Sequence, residues 1–80
     1  MIFDNRENEC ILLVLRILDN KPSRYSVLFK QTKVSHTTLQ NVLKELLKNE
    51  FVLKGDIEYI ITIKGKNLFR KLEELVKILR

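Results

Sequence analysis

Leu39, Val42, Leu43, Leu46 and Leu47 fall at positions i, i+3, i+4, i+7 and i+8 of one another, the signature of a helix with a single apolar face. At Phe51 this period stops. Phe51-Val52-Leu53-Lys54 and Ile57-Glu58-Tyr59-Ile60-Ile61 read as two short strands rich in branched and aromatic side chains, with Gly55-Asp56 between them. An amphipathic helix that runs straight into a hairpin needs other elements to cover its leucines. With 80 residues in all, those elements must lie close by in the chain.

The segments on either side supply them. Asp4 and Glu7 have the spacing of a capping box for a first helix over 4–19, which Asn20-Lys21-Pro22-Ser23 ends. Residues 24–31 form a short second helix, with Tyr25, Leu28 and Phe29 on one face, and Thr32-Lys33-Val34 breaks it. Ser35 offers a side-chain oxygen to cap a third helix over 35–50. The hairpin occupies 51–61, with Gly55 expected to supply a positive φ at its turn. Thr62 caps a last helix over 63–80. The expected class is mainly α with a small β-hairpin, in the order α-α-α-β-β-α, as one domain over 1–80.

Composition removes several classes of protein. Apolar residues make up 45% and charged residues 31%, a globular balance and not a disordered one. One cysteine cannot staple the fold internally, and one cysteine with one histidine cannot build a structural zinc site. The apolar run from Cys10 to Leu15 is far short of the roughly 20 residues that span a bilayer. The N-terminal residues show no signal-peptide pattern, so the expected location is the cytoplasm, with no membrane partner. No cofactor motif or small-molecule site is visible. Gly65-Lys66 lacks the preceding glycine and spacing of a phosphate loop. No nucleophile, base and orienting group come together either, so an enzyme is not expected.

Charge is uneven. The chain carries +5 overall, with 15 basic and 10 acidic residues. Residues 1–20 hold two basic and four acidic groups, a net of −2. In 21–48, Lys21, Arg24, Lys30, Lys33, Lys44 and Lys48 face only Glu45, a net of +5. A surface for nucleic-acid phosphates needs such a local excess, although scattered surface lysines produce one too. The third helix turns Thr37, Asn41, Lys44 and Lys48 away from its leucines, with Thr38 and Gln40 on the flanks. Asn and Gln pair bidentately with adenine, Thr meets a thymine methyl or a phosphate, and Lys reaches guanine or phosphate. Ser35, His36, Thr37, Thr38, Gln40 and Asn41 lie toward the N-terminal end, which enters the groove when such a helix reads bases. His36 has the alternative of a surface or capping role. Lys44, Lys48, Lys33 and Arg24 are candidates for phosphate contacts.

The stretches Arg24-Tyr25-Ser26-Val27-Leu28, Val34-Ser35-His36-Thr37-Thr38-Leu39, Val42-Leu43-Lys44-Glu45-Leu46 and Phe51-Val52 resemble, in this order, winged helix-turn-helix transcription regulators. The similarity is to small MarR-, HxlR- and ArnR-like regulators of archaea and their viruses. Tyr59-Ile60-Ile61-Thr62-Ile63-Lys64-Gly65 resembles their closing signature Tyr-x-Leu-Thr-x-Lys-Gly, with Ile61 in the leucine place. The resemblance covers about 8–80 and implies that the hairpin is the wing, the helix from Ser35 is the recognition helix, and the first and last helices form a dimer. A lysine- and isoleucine-rich chain without tryptophan also suits an AT-rich archaeal or viral genome. The wing is short, and Asp56 and Glu58 flank its tip, which leaves Lys54 as a phosphate contact.

Dimerisation is also expected from the residues themselves. Cys10, Ile11, Leu12, Leu13, Val14, Leu15, Ile17 and Leu18 cover nearly the whole circumference of the first helix. Leu68, Leu72, Leu75 and Leu79 form a 4, 3, 4 seam in the last, widened by Phe69, Val76 and Ile78. The expected interface is Cys10, Leu13, Val14, Ile17, Leu68, Leu72, Leu75, Val76 and Leu79, with a disulfide between two copies of Cys10 as a further option. Two recognition helices on a twofold axis would read an inverted repeat or near-repeat of double-stranded DNA, half-sites about 34 Å apart. The rival readings are a winged-helix adaptor for proteins and a non-specific architectural DNA binder.

Overall fold

Ser35 begins the central helix as its spacing predicts. Its backbone is extended (φ −67°, ψ 158°) and its Oγ accepts the Thr38 N–H at 3.1 Å. Helix α3 then runs His36–Lys48 and buries Leu39, Val42, Leu43 and Leu46. It is shorter than the expected 35–50 because Ser35 is a cap and Glu50 turns left-handed at φ 61°. At that end Phe51 N–H bonds the Leu46 carbonyl at 2.9 Å, and Glu50 N–H the Leu47 carbonyl at 3.1 Å. This double closure satisfies the last carbonyls and turns the chain into the sheet.

The structure, a computed structural model, describes residues 5–79. The remaining elements are α1 Asn5–Asn20, β1 Ser23–Arg24, α2 Tyr25–Thr32, β2 Val52–Lys54, β3 Glu58–Ile61 and α4 Ile63–Leu79. The expected cap at Asp4 and the helix end at Arg80 lie outside the described residues. The result is four helices and a small antiparallel sheet, the α+β arrangement expected of a winged helix.

The sheet differs from a plain hairpin. Its order is β1-β3-β2, so β3 is central. β1 was not expected. Arg24 was read as the start of the second helix, yet it is extended (φ −78°, ψ 160°), pairs opposite Glu58, and leaves α2 to start at Tyr25. Pro22 fixes its own φ and keeps Lys21 out of the helical region. Ser23, opposite Tyr59, then donates its hydroxyl to the Lys21 carbonyl at 3.1 Å. On the other side Val52 pairs with Ile61, Leu53 with Ile60 and Lys54 with Tyr59. The returning strand begins at Glu58, one residue later than predicted. No glycine among the described residues has a positive φ, which corrects the role given to Gly55. Gly55 N–H instead bonds the Glu58 carbonyl at 2.8 Å, and a Cβ there would meet that oxygen at 3.2 Å.

The core joins Cys10, Val14, Leu15 and Leu18 of α1 to Leu28 of α2, the inner face of α3, Val52, Ile61 and Phe69. Full burial of a large aliphatic side chain contributes about 1.5–3 kcal/mol, so Leu15, Leu28 and Leu39 anchor the three-helix contact. α1 touches α2, α3, α4 and β3, which bury Cys10, Val14, Leu15 and Leu18 and leave Ile11, Leu12, Leu13 and Ile17 half-buried.

Candidate nucleic-acid interface

Both ends of α3 are fastened, which fixes the direction of its outer face. At the N-terminal end, α2 finishes where Thr32 donates its hydroxyl to the Leu28 carbonyl at 2.7 Å and Lys33 turns left-handed at φ 57°. The Lys33 N–H bonds the Phe29 carbonyl at 3.3 Å. Three residues later α3 begins, and His36 lies flat on Phe29 with ring centroids 3.7 Å apart. The Tyr25 hydroxyl stands 2.9 Å from His36 Nδ1.

At the C-terminal end, Thr62 gathers the chain. Its hydroxyl donates toward the Glu50 carbonyl at 2.7 Å and the Phe51 carbonyl at 3.1 Å, and accepts the Gly65 N–H at 3.0 Å. The expected cap of the last helix is therefore also a clamp on the end of α3. Lys64 Nζ reaches the Asn49 carbonyl at 2.8 Å and lies 4.9 Å from the centre of the Phe51 ring. A cation suits that position, because the carboxyl end of a helix is partly negative. A Cβ on Gly65 would lie 2.0 Å from the Phe51 carbonyl oxygen. The Thr-x-Lys-Gly stretch thus has a local reason: hydroxyl clamp, lysine cap and close backbone approach.

Between these ends Thr37, Gln40, Asn41, Lys44 and Lys48 are all exposed on α3. Ser35 and His36 are exposed beside them, and Thr38 is half-buried. Ser35 Oγ also donates to Thr38 Oγ1 at 3.0 Å, so this pair is engaged in the cap. Lys33 is exposed in the turn before α3, and Arg24 is exposed on β1. On the wing Lys54 is exposed, with its Nζ 5.2 Å from the centre of the Tyr59 ring. The outward side of the hairpin carries exposed Leu53, Ile57 and Ile60. The helix face and the wing therefore differ in chemistry: one is hydroxyl, amide and ammonium, the other mixes apolar Leu53, Ile57 and Ile60 with charged Lys54, Asp56 and Glu58.

The expected dimer residues separate into two groups. Cys10 and Val14 are 0% exposed within their own chain, so they do not face a second copy as the helix wheel suggested. Burial, with Glu7 nearby, pushes the Cys10 thiol up to about 11, and an enclosed neutral thiol is a poor candidate for a disulfide between chains. Leu13 and Ile17 are half-buried, and Leu68 and Leu72 pack against the core. Val76 is half-buried, whereas Leu75, Ile78 and Leu79 are 53%, 76% and 83% exposed. Leu75, Val76 and Leu79 line a groove of about 1020 Å³ with Ile11, Leu12 and the side of α3.

Reading the sequence missed three parts of this site. Tyr25 and Phe29, placed on one face of the second helix, do pack against the core, and their i, i+4 spacing also makes an aromatic shelf for a neighbouring ring. Lys64 and Gly65 entered only as a motif. No helix among the described residues is long and apolar enough to cross a membrane.

An uncharacterized protein of Methanocaldococcus jannaschii is 30% identical over 69 residues, which are 86% of this chain and 33% of the relative. The chain thus spans about a third of that relative's length. No solved structure matches. A model of the winged helix-turn-helix family matches residues 6–80, the same span that contains the α2–α3 pair, the wing and the clamp on α4. With the helices from residue 6 on, the strands and the clamp inside that match, the chain belongs to the winged helix-turn-helix family, which points to DNA binding.

Proposed function

We propose that the protein binds double-stranded DNA with sequence selectivity, as a homodimeric transcription regulator acting in the cytoplasm. The outer face of α3 enters the major groove. The observation that carries this is the exposed row Thr37, Gln40, Asn41, Lys44 and Lys48 on a helix anchored at both ends. Thr37, Gln40 and Asn41 supply selectivity, with Ser35 and Thr38 shaping the start of the helix. Lys33, Lys44, Lys48, Lys54 and Arg24 supply the salt-sensitive attraction to phosphates. No acidic side chain of α3 falls among its first nine residues, so the leading half of the helix does not repel the backbone of the duplex.

The partner in the dimer is a second copy meeting the exposed end of α4, where Leu75, Ile78 and Leu79 lie open beside the apolar groove. Two α3 helices then read an inverted repeat or near-repeat. Fluorescence anisotropy with Asn41→Ala and Lys44→Ala tests the reading. Asn41→Ala is expected to weaken binding to the selected site by about 1–3 kcal/mol and to relax its specificity. Lys44→Ala is expected to weaken binding to all sequences and to lower the salt slope by about 1. Parental affinity in both variants would defeat the assignment. Sedimentation of the parent at a monomer mass of 9.5 kDa would defeat the dimer.

The wing supports a second reading. Its exposed Leu53, Ile57 and Ile60 suit contact with a protein better than insertion into a minor groove. An affinity for DNA that does not change with salt would favour such an adaptor.

A further inference from the structure

His36 is held in two ways. Stacking within 6° of parallel on Phe29 fixes the plane of the imidazole, and Tyr25 lies parallel beside the pair, 5.8 Å from the His36 ring. The Tyr25 hydroxyl, 2.9 Å from Nδ1, fixes the rotation of the ring within that plane. α2 supplies both restraints, and His36 is the first residue of α3, so the ring is oriented across the helix-turn-helix itself.

A neutral imidazole carries one N–H and one lone pair, and the partner of one nitrogen decides the state of the other. A phenol is a strong donor and a weak acceptor, whereas an imidazole lone pair is a strong acceptor. Burial, with Tyr59 and Cys10 nearby, pushes the Tyr25 phenol up, which keeps its proton in place. With Tyr25 donating to Nδ1, the imidazole proton resides on Nε2. Nε2 points away from Tyr25, and His36 is exposed.

We propose that Tyr25 holds His36 in the tautomer that offers Nε2–H to a hydrogen-bond acceptor of the DNA, either a phosphate oxygen or guanine O6 or N7. His36 is then a direct contact, and Tyr25 is its positioning residue. The opposite tautomer would turn a lone pair outward, which suits only the amino groups of adenine or cytosine. The inference rests on the DNA-binding reading above and adds which chemical group the start of the recognition helix presents.

The test has two independent arms. In the first, imidazole nitrogen shifts of the ¹⁵N-labelled free protein are recorded in mildly alkaline buffer. The parent is expected to show a protonated Nε2 and an unprotonated Nδ1, and Tyr25→Phe, which keeps the aromatic ring, a mixture of the two. A parent with its proton on Nδ1 overturns the proposal, whatever the protein binds.

In the second arm, anisotropy is measured with a labelled duplex selected by the protein from a random-sequence pool. His36→Phe keeps a ring on Phe29 and removes both nitrogens, and its fold is checked by circular dichroism. It is expected to bind about 10-fold more weakly, and Tyr25→Phe about 3-fold. Replacing guanine by 7-deazaguanine, or a phosphate by methylphosphonate, identifies the acceptor, because the substitution that matters weakens the parent but not His36→Phe. If His36→Phe binds like the parent while Lys48→Ala is weakened, the DNA reading stands and this proposal falls. If the parent binds no duplex, both fall, and the nitrogen shifts still report the tautomer.

Discussion

The two ends of α3 are held by different means. At its start the fastening is made by side chains: the Ser35 cap and the His36 ring on Phe29. At its finish the side-chain ties of Thr62 and Lys64 are joined by backbone on backbone: Phe51 closing onto Leu46, and α4 pressed against the Phe51 carbonyl through Gly65. Side-chain ties can be exchanged at modest cost, and the groups that make them are also available to a ligand. A backbone approach leaves no room for exchange. The end that meets the DNA in the proposed function is thus the adjustable one, and the end that joins the sheet is rigid.

The contrast is broken most directly at the rigid end. Gly65→Ala puts a methyl group 2.0 Å from a carbonyl oxygen, so it is expected to cost about 3 kcal/mol or more in urea unfolding. A loss under about 1 kcal/mol would mean that α4 can retreat at little cost, and the ends would then be alike. Thr62→Val keeps the shape and removes the clamp. It leaves the Gly65 N–H without its acceptor and is expected to cost about 1–2 kcal/mol, read in the same titration.

Ser35→Ala is expected to cost about 1 kcal/mol of stability and to weaken DNA binding beyond the fraction unfolded. An equal effect on DNA binding from Thr62→Val, once corrected for folding, would erase the functional side of the comparison. The smallest effect is of opposite sign. Glu50 spends a left-handed φ of 61° without being glycine, so Glu50→Gly is expected to stabilise by about 0.5 kcal/mol after the entropy of glycine is counted. A destabilised Glu50→Gly variant would show that the Glu50 side chain contributes more than its backbone strain removes.

The adjustable end was the easier one to read from sequence. The face of α3 and the Ser35 cap follow from spacing within a few residues, and the structure has both. The rigid end was legible only in part: Thr62 as a cap follows from its neighbours, but its bonds to Glu50 and Phe51 join residues that sequence spacing does not relate. β1 is two residues long, too short to show a period, and it is a strand because Glu58 and Tyr59 lie opposite it. The first helix was misread for a similar reason. A helix wheel shows that Cys10 and Val14 need cover but not that α2, α3, α4 and β3 all converge on α1 to provide it. Gly55 was assigned by a rule for two-residue turns, and the three residues 55–57 separate the strands instead. Of the seam that the leucines suggested, Leu68 and Leu72 pack against the core, and Leu75 and Leu79 are exposed.

The strand order has a practical corollary. β1 and β2 flank β3, so the polypeptide that leaves the sheet from β1 by way of α2 comes back after α3 two positions away, and β3 then fills the gap between them. Residues 23–61 therefore make a closed circuit, with entrance and exit stitched to a common seam. Anyone who wishes to move this reading head into another scaffold, or to retarget it, should cut the gene on either side of that circuit and not at the borders of α3.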